Sequence, residues 1–175
     1  MQTRKIIIFL MFIVAAGAVF ALQQDALPAE LKDAALHDAA CTKPDAAPNT
    51  DGASADAPIL AALPIRAGGR EMGTIVTVQG ACHCQTNNCD TLVYLRTSQG
   101  YRLALREKYA SLHPMKIVKR GMPSLTGKFE VSAARMETTV YDWDGKDYRP
   151  SLCATVVKGK KVPSIAQHPC QAAGK

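Results

Sequence analysis

Several signatures of catalytic sites are missing from this 175-residue sequence. It contains no Gly-x-Ser-x-Gly nucleophile elbow, no His-Glu-x-x-His zinc helix and no glycine-rich phosphate loop. It therefore offers no motif for a serine hydrolase, a zinc peptidase or a nucleotide-binding enzyme. Three of its four histidines, His37, His113 and His168, are scattered along the chain, as is typical of surface residues. The sequence accordingly favours a protein that is not an enzyme.

A calcium-binding loop is also missing. Asp142, Asp144 and Asp147 surround Gly145, but the glutamate at the twelfth position and the full ligand spacing of an EF-hand loop are absent. The run from Asp142 to Gly145 has the composition of a hairpin turn instead.

Acidic residues are scarce in the C-terminal two thirds of the chain. Residues 66–175 hold seventeen basic and eight acidic residues, a net charge of +9, whereas residues 22–65 hold two basic and seven acidic residues, a net charge of −5. The total of +6 therefore understates how basic the folded part is. The change in charge marks a boundary between an acidic segment, 22–63, and one domain, 64–175.

Large apolar side chains are scarce between residues 22 and 63, which are rich in Ala, Asp and Pro. Such a composition predicts a mostly disordered tether, because too little apolar surface is available to offset the entropy of ordering it. A short helix is predicted from Pro28 to Ala40. Pro28 suits a first helical turn, and Leu31, Ala35 and Leu36 form a narrow apolar stripe.

The N-terminus predicts export. Arg4 and Lys5 precede an unbroken apolar run of seventeen residues that ends at Leu22, as in a secretory signal peptide. Cleavage after Ala21 would give signal peptide 1–21 and a mature chain without a transmembrane segment. The alternative is an uncleaved anchor, for which the run is near the lower limit of roughly 20 residues. Either outcome predicts a periplasmic or secreted protein.

Period-2 alternation and turn residues predict an all-β domain. The predicted strands cover residues 74–78, 91–97, 101–106, 125–131, 136–141 and 152–157. In the third strand Tyr101, Leu103 and Leu105 alternate with Arg102 and Arg106, which predicts one apolar and one positively charged face. Glu107 to Leu112 is predicted to form one or two helical turns that end at His113-Pro114. Five or six short strands with one helical insert favour a small barrel.

The order of these segments resembles that of small exported bacterial OB-fold proteins. The resemblance covers residues 72–142 and depends on a strand ending in Val78-Gln79-Gly80, a long hairpin over 91–106, a helical connector and the strand 125–131. It implies a five-stranded Greek-key barrel, whose exposed face and loops would bind an extended ligand. The cysteine-bearing insertion between the first two strands departs from the pattern.

Six cysteines in an exported chain predict disulfide bonds. They are Cys41, Cys82, Cys84, Cys89, Cys153 and Cys170. Six cysteines allow fifteen pairings, and the spacing indicates a small ring closed by Cys84 and Cys89, which would leave Cys82 for Cys153 or Cys170. Cys41 would be the sixth partner or an unpaired thiol.

Two alternatives assign chemistry to the same cluster. Cys82, His83, Cys84 and Cys89 carry ligand types that suit copper or zinc, although the Cys-x2-Cys spacing of strong zinc motifs is absent. A thiol-disulfide oxidoreductase is the third hypothesis, but nothing predicts the helix N-terminus that lowers the pKa of a catalytic thiol. Without either activity no cofactor is expected.

The positive charge points to an anionic partner. Basic residues accumulate around the predicted hairpin and the connector after it, close to two tyrosines; the set is Arg96, Arg102, Arg106, Lys108, Lys116, Lys119 and Arg120, with Tyr94 and Tyr101. Positive grooves with aromatic platforms bind single-stranded nucleic acid in OB-fold barrels. In an exported protein an envelope polymer or an acidic protein is favoured as the partner. The sequence thus predicts an exported, non-enzymatic binding or accessory module.

Overall fold

The computed structural model describes residues 27–39, 57–158 and 164–170. The predicted signal peptide, most of the predicted tether and Cys41 lie outside these residues. The described residues form one helix and ten strands, in chain order α1 (Ala29–Asp38), β1 (Ile59–Ala67), β2 (Arg70–Gln79), β3 (Cys84–Gln85), β4 (Asn88–Thr97), β5 (Gly100–Tyr109), β6 (Ser111–Lys119), β7 (Met122–Ser132), β8 (Arg135–Trp143), β9 (Tyr148–Val157) and β10 (Ser164–His168). The predicted all-β class is confirmed.

The strands form two antiparallel sheets. In the N-terminal sheet β1 pairs with β2 and β2 with β4, and β3 and β5 also pair with β4. The C-terminal sheet runs β6, β7, β8, β9, β10 in sequence order. The chain passes from one sheet to the other at Ala110, whose N–H donates to the carbonyl oxygen of Lys128 at 2.8 Å.

The predicted barrel is therefore corrected to two sheets that do not close on each other. Each described sheet keeps edge strands, which are β1, β5 and the two-residue β3 in the first and β6 and β10 in the second. A closed barrel would pair these edges with one another. The OB-fold that the resemblance implied is not confirmed.

The predicted helical turns from Glu107 to Leu112 are wrong. This stretch belongs to β5 and β6, and it places Tyr109 and Leu112 in the core between the sheets, at 6% and 4% exposure. Burying two large apolar side chains outweighs a weak local preference for helix. Pro114 is tolerated within β6 because β6 is an edge strand, where one N–H need not be paired.

A β-bulge in β5, the third predicted strand, changes which face of the sheet its side chains occupy. The prediction of one apolar and one charged face for this strand is therefore wrong. Tyr94 lies opposite Leu103 and Val93 lies opposite Leu105, so Ala104 is the extra residue of the bulge. Leu103 consequently packs on the helix side of the sheet, whereas Leu105 packs between the two sheets. The bulge also separates Arg102 from Arg106, which were expected on the same face.

The main core lies between the two sheets. Ile65, Val93 and Leu125 are fully buried there, and Tyr109 and Tyr141 pack edge to face with ring centroids 6.3 Å apart. Other buried members come from β2, β4, β6, β7 and β9. Gly127 is required beneath the Tyr109 ring, since a Cβ added there would lie 2.6 Å from it.

A second core lies on the opposite face of the N-terminal sheet, under α1. Leu31 and Ala35, one helical turn apart, are fully buried against Val76, Leu92 and other residues of β2 and β4. Burying a leucine side chain stabilises the fold by about 1.5–3 kcal/mol. The predicted helix is thus confirmed, and it lies N-terminal to residue 64, as does the start of β1.

Candidate functional site

Two disulfides are observed among the described residues. The predicted Cys84–Cys89 bridge is confirmed and joins directly opposed residues of β3 and β4, with their Cα atoms 3.9 Å apart. Cys153 pairs with Cys170, so the expected partnership of either with Cys82 is wrong. Cys82 is disulfide-bonded as well. The described residues contain no free cysteine, and the pairing of Cys41 lies outside them.

The copper or zinc alternative has no support from this arrangement. The sulfurs of Cys82, Cys84 and Cys89 are all in disulfides, and a metal ligand must be a free thiolate. Within 27–39, 57–158 and 164–170 no three His, Cys, Asp or Glu residues are grouped to hold a metal ion. The observed state of the cluster cross-links a loop.

His83 belongs to a buried polar network beside the Cys84–Cys89 bridge. Its Nδ1 lies 3.1 Å from Oδ2 of Asp90, and the other carboxylate oxygen lies 3.1 Å from Nζ of Lys108. Lys108 also donates to the carbonyl oxygen of His83 at 3.1 Å. Lys108, one of the predicted anion-binding residues, thus joins β5 to this loop and has an acidic partner inside the protein.

The other predicted cations divide into two groups. Arg102 forms an ion pair with Asp147 at 2.7 Å, Lys119 pairs with Asp142, and Arg120 donates to the carbonyl oxygen of Asp144. A second group has exposed side chains with neither an ion pair nor a hydrogen bond among the described residues, namely Arg96, Arg106 and Lys116. The predicted patch is therefore not one continuous surface of free charges.

The two predicted aromatic contacts are less accessible than expected. Tyr94 is 1% exposed and donates to Oδ2 of Asp38 at 2.7 Å, which fixes α1 to the sheet. Its burial and this hydrogen bond raise the pKa of Tyr94 well above the usual range. Tyr101 is half-buried against the core under α1. Tyr94 is thus a structural residue and offers no ring face to a ligand.

Four hairpin turns meet at one end of the molecule, which we call the hairpin end (residues 66–71, 96–102, 119–122 and 142–149). In the N-terminal sheet Gly73 lies opposite Leu95, so the β1–β2 and β4–β5 turns lie at the same end. In the C-terminal sheet Leu125 lies opposite Tyr141, so the β6–β7 and β8–β9 turns also lie at one end of their sheet. The Arg102–Asp147 ion pair joins the two sets of turns.

The hairpin end concentrates positive charge. Its four segments hold eight basic and four acidic residues, a net charge of +4. Five of the basic side chains are exposed and have no ion pair among the described residues; they are Arg66, Arg70, Arg96, Arg120 and Lys146. Only Arg96 and Arg120 of these five belong to the predicted set.

The acidic residues of the hairpin end shape its turns. Oδ1 of Asp144 accepts hydrogen bonds from the backbone N–H groups of Lys146 and Asp147 at 2.8 Å, so the predicted hairpin turn is confirmed. These bonds, together with Arg149, lower the pKa of Asp144 to about 2. Lys119 and then Ser124 lower the pKa of Asp142 below its usual range. Asp142, Asp144 and Asp147 are committed to ion pairs or turn bonds, whereas Glu71 is exposed. Together the four carboxylates offset only part of the positive charge.

A shallow cleft opens among these turns. It has a volume of about 470 Å³ and is lined by Lys119, Arg120, Trp143 and Arg149, among others. Trp143, the one tryptophan of the sequence, packs edge to face on Tyr148 with ring centroids 5.3 Å apart. Sequence reasoning treated Trp143 as a turn residue and missed this cleft, although the proximity of the only tryptophan to several cations was a usable signal.

Comparison with known protein families, with curated proteins and with solved structures yields no match for this chain. In the part of the chain that the structure describes, no helix is both long enough and apolar enough to cross a membrane. The two disulfides are typical of an oxidising compartment outside the cytoplasm.

Proposed function

We propose that this protein is an exported, disulfide-stabilised binding module that contacts an anionic envelope polymer through the hairpin end. The observation that carries the proposal is a group of five exposed cations that come from four turns distant in sequence and have no ion pair among the described residues. Like charges placed together raise the electrostatic cost of the unbound state, and an anionic ligand relieves it. No catalytic step is part of the proposal.

The backbone at Arg120 gives independent support. Arg120 has φ of 50° and precedes Gly121 at 82°, so an arginine occupies a left-handed position that favours glycine or asparagine. Such a position costs about 1 kcal/mol for a residue with a Cβ. A strained cation beside the Trp143 cleft is expected where its charge is used.

The chemistry of the site favours phosphate or carboxylate groups on a flexible polymer. Four of these five cations are arginines, whose planar guanidinium groups bind these anions through paired hydrogen bonds. The cleft is shallow and wide, which suits a segment of a chain better than an enclosed small molecule. The predicted signal peptide and the disulfides support export, so the partner is expected outside the cytoplasm.

The test compares charge removal at two ends of the molecule. The double variant Arg70→Gln/Arg96→Gln removes two free cations from the hairpin end, and Lys128→Gln/Lys158→Gln removes two exposed cations elsewhere. Immobilised lipopolysaccharide is the probe, with uncharged dextran as its control. Each cation near an anionic surface contributes about 1 kcal/mol, so the first variant should weaken binding about thirtyfold and the second much less.

Further probes distinguish the classes of partner. Preference for polyglutamate would indicate an acidic protein, and preference for an oligothymidylate would indicate nucleic acid. Equal weakening in both double variants would show that overall charge alone causes binding, and it would overturn the assignment to the hairpin end. If no anionic probe bound at low ionic strength, the proposed binding function would be overturned.

A further inference from the structure

Strand β5 has a free edge beside an open groove. Among the described strands β5 pairs only with β4, so the N–H and C=O groups of its other edge have no partner strand. The C-terminal sheet continues past this edge, and its inner face forms the floor of a groove of about 910 Å³. A further strand added to β5 would therefore pack on the inner face of the C-terminal sheet.

The groove is not simply apolar. Thr139, Tyr141, Tyr148 and Cys153 line it from the C-terminal sheet. The Tyr148 hydroxyl donates to the carbonyl oxygen of Pro123. The Tyr109 and Tyr141 hydroxyls are hydrogen-bonded to each other. These hydroxyl groups are thus bonded within the protein, and the free edge of β5 is the part of the groove that suits a ligand with its own backbone hydrogen bonds.

Glu107 of β5 gives the groove its charge preference. It is half-buried, lines the groove and has neither a hydrogen bond nor an ion pair among the described residues. Burial raises the pKa of Glu107. Glu137 of β8 lines the same groove and pairs with the exposed Arg135 at 3.1 Å. A half-buried carboxylate without a counter-ion is an unfavourable arrangement that a bound cation would relieve.

The cations near the groove are engaged or directed elsewhere. Lys108 pairs with Asp90, and Arg149 lies within 3.6 Å of both Asp144 and Asp147. Arg106 lies opposite Leu92, so it is on the face of the sheet that carries α1. None of the three neutralises Glu107 in the groove.

We infer that the free edge of β5 binds an extended polypeptide as an added strand, with a lysine or arginine of that polypeptide placed against Glu107. Backbone hydrogen bonds to β5 would supply affinity, and the contact with Glu107 would supply specificity. This surface adjoins the hairpin end and shares Asp147, Tyr148 and Arg149 with it, but Glu107 lies outside the hairpin end and selects the opposite charge. Because the inference depends on Glu107 and the edge of β5, it is independent of the proposed function.

The probe is a capped nine-residue peptide of alternating threonine and valine with lysine at its centre. Binding to the full chain is measured by fluorescence anisotropy. The variant Glu107→Gln should weaken binding about tenfold, because a charge-assisted contact is lost. The matched control Glu71→Gln, an exposed residue at the hairpin end, should leave binding unchanged, and a peptide with glutamate at its centre should not bind.

Backbone methylation of the peptide tests strand addition directly. Methylating the alternate N–H groups that face β5 should abolish binding, whereas methylating the other alternate set should not. Equal tolerance of both methylated peptides would overturn the added strand even if charge mattered. Unchanged affinity in Glu107→Gln, with circular dichroism showing a folded variant, would overturn the role of Glu107.

Discussion

The two sheets differ in how many of their faces are buried. The N-terminal sheet is covered on both sides, by α1 and by the C-terminal sheet, so that residues 91–95 of β4 are all buried. Within the part of the chain that the structure describes, the C-terminal sheet is covered on one side only, and its outer face leaves Leu152 and Ile165 at 42% and 67% exposure. Stability is thus concentrated in the first sheet, while the groove is open because the second sheet extends beyond it.

The helix contact tests this difference with the largest expected effect. Leu31→Ala would leave a cavity beneath α1 and should reduce the free energy of unfolding by about 2–5 kcal/mol. Leu152→Ala, the corresponding change on the uncovered face, should change it by only about 0.5 kcal/mol. Urea denaturation of both variants measures the contrast. Equal losses would show that the two outer faces contribute alike.

The disulfides should differ in the same measurement. The Cys153–Cys170 bridge closes a separation of 17 residues and the Cys84–Cys89 bridge one of 5. Because a disulfide restricts the unfolded chain, changing both cysteines of a bridge to serine should lower the free energy of unfolding. The expected decrease is about 3 kcal/mol for Cys153–Cys170 and about 2 kcal/mol for Cys84–Cys89. The reverse order would indicate that the short bridge acts mainly on the folded state, through the network around His83.

The groove carboxylate should be unfavourable for folding. Burial raises the pKa of Glu107 in the folded state. The protonated carboxyl therefore does not destabilise the fold at low pH, and the free energy of unfolding decreases as pH rises through the folded-state pKa. Glu107→Gln should therefore raise the melting temperature at pH 7, and the gain should vanish below pH of about 4. Glu71→Gln is the control, and a melting temperature unchanged at pH 7 would contradict the placement of Glu107 in the groove.

The smallest expected effect concerns the β8–β9 turn. The folded-state pKa of Asp144 is lowered to about 2, so its charge stabilises the fold above its ordinary pKa of about 4, and this contribution is lost as pH falls towards 2. Asp144→Asn keeps an oxygen for the turn bonds and removes only the charge. The difference in melting temperature between wild type and variant should shrink between pH 5 and 2. A constant difference would contradict the stabilising role of the Asp144 charge.

Local pattern was sufficient for much of the fold. Strands β2, β4, β5, β7, β8 and β9 were predicted from alternation and β-branched residues, and the Cys84–Cys89 ring was predicted from spacing. Residues 107–112 were predicted as helical turns from local preference, whereas the core contacts of Tyr109 and Leu112 place them at the end of β5 and the start of β6. The rest of β6 was not predicted as a strand. The bulge at Ala104 was missed because one inserted residue leaves no local signal.

The candidate site was predictable only in part. Composition identified an excess of positive charge, and Arg96 and Arg120 are among the exposed cations of the hairpin end that have no ion pair in the described residues. The gathering of four turns between residues 66 and 149 depends on the pairing of strands that are distant in sequence, so Arg66, Arg70 and Lys146 were not identified. Tyr94 was assigned to the surface because alternation alone does not reveal that α1 covers its face of the sheet.

Amide shift mapping tests the central claim most directly. The ¹⁵N-labelled protein is titrated at low ionic strength with short-chain polyphosphate, a soluble anionic polymer. The account predicts perturbations concentrated in residues 66–71, 96–102, 119–122 and 142–149, which disappear in Arg70→Gln/Arg96→Gln and persist in Lys128→Gln/Lys158→Gln. Perturbations centred on the outer face of β8 and β9, or spread evenly over all exposed cations, would contradict it.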